Sequence, residues 1–185
     1  MKKHIVIIGK DSSALKLIEM AKCTGIPYVS IIFDPVIVRD KLKIGDTVIY
    51  GDAVNEPILL KAHIDKAESV VISVGDTIPA MAIIEKVRKL NKKIFIIVRS
   101  KHLEDIEHFY KLGVDQVIPE KMEIAIDLFN MVLIKKSYSK KEINRKISAI
   151  RNKFLGTYRD KDFINKPSII DELSNNQISA LIIDS

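Results

Sequence analysis

Short β-branched runs alternate with amphipathic stretches along most of the chain. His4–Ile8 is an apolar run that stops at Gly9 and predicts a strand. Ser12–Thr24 then sets Ala14, Leu15, Ile18 and Ala21 on one helical face before Gly25. The alternation continues with a strand at Tyr28–Phe33, a helix at Val36–Lys43 after Pro35, and a strand at Thr47–Tyr50. A helix at Asn55–His63 follows, with Pro57 in its first turn, where a missing N–H costs little. Next come a strand at Ser69–Val74, a helix at Ile78–Leu90 and a strand at Lys93–Val98. Helix Lys101–Leu112, strand Gln116–Ile118 and helix Glu120–Ile134 complete the series.

Strand–helix units in this regular succession predict parallel strands joined by helical crossovers. The strands are near-continuous apolar runs, as expected of strands covered on both faces. The fold class is therefore α/β, a Rossmann-like doubly wound parallel sheet of order 3-2-1-4-5-6 with a C-terminal helical arm. We expect three regions: a sheet domain over residues 1–134, a basic helical connector over 135–161, and a tail over 162–185. Ile178–Ile183 at the end of that tail resembles the start of a strand, which suggests a chain cut from a longer one.

Two helices depart from the simple pattern. Between Met122 and Ile134 every residue except Glu123, Asp127 and Asn130 is apolar. A helix packed on one sheet needs a single apolar stripe, and a domain this small cannot wrap a helix completely. The expectation is a homodimer through Glu120–Ile134. In the arm, Lys140–Phe154 reads as a helix with a stripe of Ile143, Ile147, Ile150 and Phe154 and charges elsewhere. It reads as a solvated helix docked on the domain, with anionic lipid or an acidic partner as the alternative. The stripe is aliphatic, without interleaved stacking aromatics, so nucleic acid is not an expected partner.

Charge sharpens that division. The net charge is +6. Residues 135–161 hold ten Lys/Arg against Glu142 and Asp160, so the rest of the chain is slightly acidic. No run reaches the roughly 18 apolar residues of a membrane-spanning helix. The first apolar run is too short for a secretory leader. A single cysteine, Cys23, fits a reducing cytoplasm. The mean hydropathy of +0.10 is high for a soluble domain and agrees with apolar surface meeting another chain.

The candidate chemistry lies at the strand ends, where open α/β sheets bind ligands. They carry Gly9-Lys10-Asp11-Ser12-Ser13-Ala14, Asp34-Pro35, Gly51-Asp52-Ala53, Gly75-Asp76 and Arg99. Converging polar groups there suggest a binding site, although each Asp or Ser can instead cap the following helix. Against the dinucleotide fingerprint, Gly9 supplies the tight turn and Ala14 substitutes for the third glycine. Asp11 stands where the middle glycine would let backbone approach a pyrophosphate. Ile32 stands where an acid would bind the ribose, with Asp34 two residues later. Enzymatic readings lack parts. Ser12 and Ser13 have no evident His partner, and no G-x-S-x-G elbow occurs. His4, His63, His102 and His108 form no H-E-x-x-H, and no metal site is expected. A substrate domain has no room, which leaves only an oxidoreductase fragment or a degenerate scaffold for assembly as alternatives.

Several segments resemble the TrkA-N (RCK N-terminal) family. They are Ile7-Ile8-Gly9, Gly25-Ile26-Pro27-Tyr28-Val29, Asp34-Pro35, Tyr50-Gly51-Asp52-Ala53 and Gly113-Val114-Asp115-Gln116-Val117-Ile118-Pro119-Glu120. The arm after them resembles the connector of Kef-type cation/proton antiporters. The resemblance implies a cytoplasmic regulatory domain of a potassium or other monovalent-cation antiporter, at the cytoplasmic face of the membrane. It implies a non-enzymatic dimer that binds a nucleotide and gates the membrane part, normally on the same full-length chain. Carried onto this sequence, the contacts are Gly9, Ser12, Asp34, Asp52, Ala53, Gly75, Asp76 and Arg99; Asp11, which replaces the family's glycine, and Ser13 join them from the first loop. Asp11 would repel a pyrophosphate, so AMP, ADP or ATP is expected over NAD(H), with an empty degenerate site as the other outcome. Asp34 would accept from the ribose, Asp52 from the adenine amino group, and Arg99 would offset part of the Asp11 charge.

Overall fold

The computed structural model describes residues 3–156. Six strands form one parallel sheet: β1 (Ile5–Ile8), β2 (Tyr28–Ile32), β3 (Val48–Tyr50), β4 (Ser69–Ile72), β5 (Phe95–Ser100) and β6 (Gln116–Pro119). Their order is β3-β2-β1-β4-β5-β6, so the chain reverses direction across the sheet between β1 and β4. Ile8 pairs with Ile31 on one side and Ile72 on the other, which brings the ends of these three strands level.

Helices follow each strand: α1 (Ser12–Cys23), α2 (Pro35–Lys43), α3 (Glu56–Lys61), α4 (Thr77–Leu90), α5 (Asp105–Lys111) and α6 (Glu120–Lys135). α7 (Lys140–Leu155) completes the described arm, opened by a reciprocal capping box between Ser139 and Glu142. Ile7, Ala14, Ile18, Ala21, Tyr28, Ile32 and Val38 form one buried cluster on the α1 side of the sheet. α4 contributes Ala80, Ile83, Ile84 and Val87, and α5 contributes Ile106 and Phe109. A fully buried Ile or Phe is worth about 1.5–3 kcal/mol, so these short elements are held by packing rather than propensity.

Four elements differ by two residues or more from the sequence expectation, and one of them, β4, stops at Ile72 rather than Val74. β5 starts and ends two residues late. The Asn91 side chain accepts from Lys93 N–H and donates to Ile64 O, which holds residues 91–93 in a turn. Arg99 consequently lies within the strand, paired in register with Ile118. α3 stops at Lys61 because His63 turns left-handed at φ +53°, and a 3-10 turn at Ile64–Lys66 follows. α5 starts only at Asp105, since Ser100 Oγ donates to His102 O and keeps the intervening residues in a turn. The strand expected at Ile178–Ile183, and the whole region 162–185, lie outside the described residues.

The chain divides into two compact units, and the division falls inside α6 between Phe129 and Asn130. Within α6, Ile126 and Leu133, seven apart, are buried. Ile124, Leu128, Phe129, Met131, Val132 and Ile134 are exposed. The helix therefore carries apolar side chains well beyond the stripe it buries, which accounts for its composition. In α7, Ile147 is buried while Phe154 is exposed. Lys146 lies 4.9 Å from the centroid of the Tyr138 ring.

Candidate functional site

The carboxyl ends of the central strands open onto a cavity of about 470 Å³. That volume lies within the usual range of small-molecule sites, and its position at the strand-order reversal is where such sheets bind ligands. Six of the ten predicted contacts line it: Gly9, Asp11, Asp52, Ala53, Gly75 and Asp76. The other four do not. Ser12 and Ser13 are exposed on the first turn of α1. Asp34 caps α2, its Oδ1 accepting from Val36 and Ile37 N–H. Arg99 lines a small adjoining recess with Gly75 and Asp76.

Gly9 is required by space and by backbone. Its φ is +149°, a region disfavoured for residues with a side chain. An added Cβ would lie 2.5 Å from Ser73 O and 3.1 Å from Ala14 Cβ. The β1–α1 turn is thus packed directly against the end of β4, and Ala14 permits that approach by being small.

The β1–α1 loop differs from a dinucleotide loop in what Asp11 does. Its Oδ1 caps α1 by accepting from Ala14 N–H at 3.0 Å. The same atom accepts from the Ser73 hydroxyl at 3.1 Å. Its other oxygen is ion-paired with Arg99 Nη2. Arg99 also donates from Nε to Ser73 Oγ at 3.0 Å and pairs through Nη1 with Glu120. The carboxylate is therefore fixed inside the site and engaged by a guanidinium that it shares with Glu120.

The remaining strand-end aspartates divide by their bonds. Asp52 Oδ1 accepts from Val54 N–H at 2.9 Å, which fixes the turn after β3. Asp76 precedes α4 and makes no side-chain cap bond. Ser73 and Lys101, which the sequence reading did not single out, also line the cavity, as do Lys10 and Phe33 of the strand-end segments, which were not among the predicted contacts. Phe33 stacks on Tyr50 with centroids 5.9 Å apart, giving an aromatic wall beside Asp52. The Lys101 ammonium lies over Gly75, 2.7 Å from where a Cβ would be. Lys10 and Lys101 were legible as cations flanking the strand-end glycine and arginine. Ser73 offered no comparable signal. Among the described residues no group of three His, Cys, Asp or Glu side chains could hold a metal ion.

The TrkA-N domain family model matches residues 5–120. The chain belongs to the TrkA-N domain family. This TrkA-N chain is 29% identical over 114 residues to the glutathione-regulated potassium-efflux system protein of Haemophilus influenzae. That match covers 62% of this chain and 18% of the relative. The chain spans well under half the length of the curated relatives it matches. Among solved structures, the Shewanella denitrificans Kef CTD in AMP-bound form superposes with a TM-score of 0.69 at 19% identity. The superposition covers 84% of this chain and 95% of that one. The GsuK channel bound to NAD superposes with a TM-score of 0.59 at 21% identity, covering 64% of this chain and 22% of the channel. At these identities the two structures establish the shared fold.

Proposed function

We propose that this chain is the nucleotide-sensing regulatory domain of a potassium or other monovalent-cation transporter of the antiporter type. It acts at the cytoplasmic face of the membrane and gates transport without catalysing a reaction. The observation that carries this reading is the cavity of about 470 Å³ at the strand-order reversal, lined by Gly9, Asp52, Gly75 and Asp76. The potassium-efflux relative and the AMP-bound Kef CTD support the same assignment. The membrane part belongs to a longer protein, and no helix among the described residues is long and apolar enough to cross a membrane.

The ligand is an adenine nucleotide, with AMP, ADP or ATP favoured over NAD(H). The adenosine lies against the ends of β2 and β3. There Asp52 accepts from the adenine amino group, and Phe33 supplies an apolar wall. Asp34 reaches the ribose with Oδ2, the oxygen that does not cap α2. The phosphate lies by the start of α1, near Ser12 and Ser13. The GsuK channel, part of which shares this fold, is bound to NAD. Here Asp11 fills the place of the middle glycine, where it crowds a pyrophosphate bridging two nucleosides more than a phosphate chain with a free end. Two copies pair through the exposed apolar side of α6, and the ligand acts by preferring one arrangement of that dimer.

Calorimetric titration with AMP, ATP, NAD⁺ and NADH tests this reading. AMP or ATP is expected to bind at least tenfold tighter than NADH, about 1.4 kcal/mol. NADH binding tenfold tighter than AMP overturns the ranking. Absence of binding by all four favours an assembly-only scaffold, a reading supported by the Asp11–Arg99 pair that already occupies the loop.

A further inference from the structure

Arg99 ties the openings of two helices together. Its side chain is only 12% exposed. One edge meets Asp11, which opens α1 and lines the cavity. Another meets Glu120, which opens α6 and does not line the cavity. Ser73 joins the same cluster, accepting from Arg99 Nε and donating to Asp11. Two carboxylates thus share one buried guanidinium, and the trio is one charge short of neutral.

We infer that Arg99 is a positioning residue that relays occupancy of the cavity to the start of α6, with Glu120 as the released partner. The inference rests on the nucleotide-sensing reading above. A phosphate arriving beside Asp11 puts a third anion around the one guanidinium that Asp11 and Glu120 share, while Lys10 and Lys101 line the rest of the cavity. One carboxylate then has to give way, because the low local dielectric makes an uncompensated charge costly. Asp11 is held three ways, by Ala14 N–H, Ser73 and Arg99. Glu120 is held here by Arg99 and is 37% exposed, so water can take over its solvation. The guanidinium turns toward the phosphate and Asp11, and Glu120 is released. Glu120 is the first residue of α6, so the change falls on the helix that carries the exposed Ile124, Leu128 and Met131. The cost of breaking the Glu120 contact is part of the ligand's apparent affinity in the intact protein.

The test uses the 185-residue chain with Glu120→Gln, Asp11→Asn and the double variant. Asn retains the cap acceptor at position 11, and both substitutions preserve side-chain shape. Without ligand, the unfolding equilibrium constant of the double variant should exceed the product of the single effects by about fivefold. Either single variant leaves Arg99 one carboxylate, whereas the double variant strands a buried guanidinium. With AMP, Glu120→Gln should bind about fivefold tighter than wild type, since no contact outside the cavity has to be broken. Hydrogen exchange at amides 121–124 should speed up on AMP saturation in wild type and not in Glu120→Gln. A purely structural role for Glu120 predicts no gain in affinity. If wild type binds AMP and Glu120→Gln binds it within twofold of wild type, the relay is overturned alone. If wild type binds none of AMP, ATP, NAD⁺ and NADH, the sensing reading fails and the relay with it.

Discussion

The β1–α1 loop and helix α6 stand at opposite extremes of satisfaction. In the loop, both oxygens of Asp11 are engaged, by a backbone amide, a hydroxyl and a guanidinium. Along α6, six large apolar side chains face outward beside only two that are buried. The contrast indicates where binding free energy remains available. A ligand group that reaches for Asp11 must displace bonds that already exist, so its net gain there is small. A surface meeting α6 displaces only water from apolar side chains, and the hydrophobic gain is nearly unopposed. The first region suits a sensor, and the second suits an interface.

The largest expected effect tests how tightly the loop is packed. Gly9→Ala introduces a Cβ 2.5 Å from Ser73 O at a φ of +149°. Backbone strain and overpacking together should cost about 3 kcal/mol. For a chain of this size that lowers the melting temperature by roughly 6–12 °C. Thermal unfolding followed by circular dichroism measures it. A variant melting within 2 °C of wild type would show that the loop has slack and that the contrast with α6 is overstated.

The next effect belongs to α6. Leu128 and Val132 are 66% and 47% exposed, so charging them should cost the fold little. Light scattering on wild type should give about twice the chain mass of 20.9 kDa at micromolar concentration. Leu128→Glu with Val132→Glu should weaken the dimer at least hundredfold, about 2.8 kcal/mol at 1.4 per decade. A wild-type mass near 20.9 kDa sinks the interface.

Asp46 asks whether a satisfied carboxylate elsewhere behaves like Asp11. Its side chain is 1% exposed and is paired with Lys22 at 2.6 Å and Lys41 at 3.5 Å. Burial alone would raise its pKa. Hydrogen bonds from Lys22 and Tyr28 and the charges of Lys22 and Lys41 outweigh that and hold it below the usual carboxylate value. The same environment, burial first and then Asp46, pushes the Tyr28 hydroxyl up to about 12. Because the folded pKa of Asp46 is depressed, its stabilisation is complete above the unfolded value of about 3.9. It is lost as pH falls through the lower folded value. Asp46→Asn should cost about 2 kcal/mol at pH 7 in urea unfolding. The difference should shrink toward pH 3, and AMP affinity should stay within twofold. An undiminished difference at pH 3 would mean that packing, not charge, is lost.

The layout of the sheet was readable because each strand is an uninterrupted apolar run and each helix shows its own stripe. Boundaries set by distant partners were less so. β5 shifted because Asn91 reaches Ile64, a contact that local pattern does not reveal. The site divided along the same line. Gly9, Asp52, Gly75 and Asp76 were legible because the topology places strand ends together. The bonds that define their state were not. Asp11 meets Ser73 at a separation of 62 residues and Arg99 at 88. Asp34 shows the limit in the other direction. An aspartate before Pro35 at the end of a strand reads equally well as a ribose acceptor or a helix cap, and Asp34 does cap α2.

The smallest effect bears most directly on what Asp11 excludes. Asp11→Gly removes the carboxylate and opens the position to backbone approach. Gly at an N-cap costs only about a few tenths of a kcal/mol relative to Asp, so the helix should survive. Arg99 loses one of its two carboxylates and keeps Glu120, which leaves the guanidinium free to turn toward a diphosphate. Affinity for NADH should rise about tenfold, near 1.4 kcal/mol. AMP should change less, because it carries no second phosphate to meet the vacated position. Parallel titrations of AMP and NADH against wild type and the variant give the ratio that matters. An equal rise for both ligands would mean that Asp11 repels any phosphate. No rise for either would leave Asp11 as a helix cap whose charge Arg99 has already cancelled, and dinucleotide selectivity would then reside at Ile32 and the end of β2.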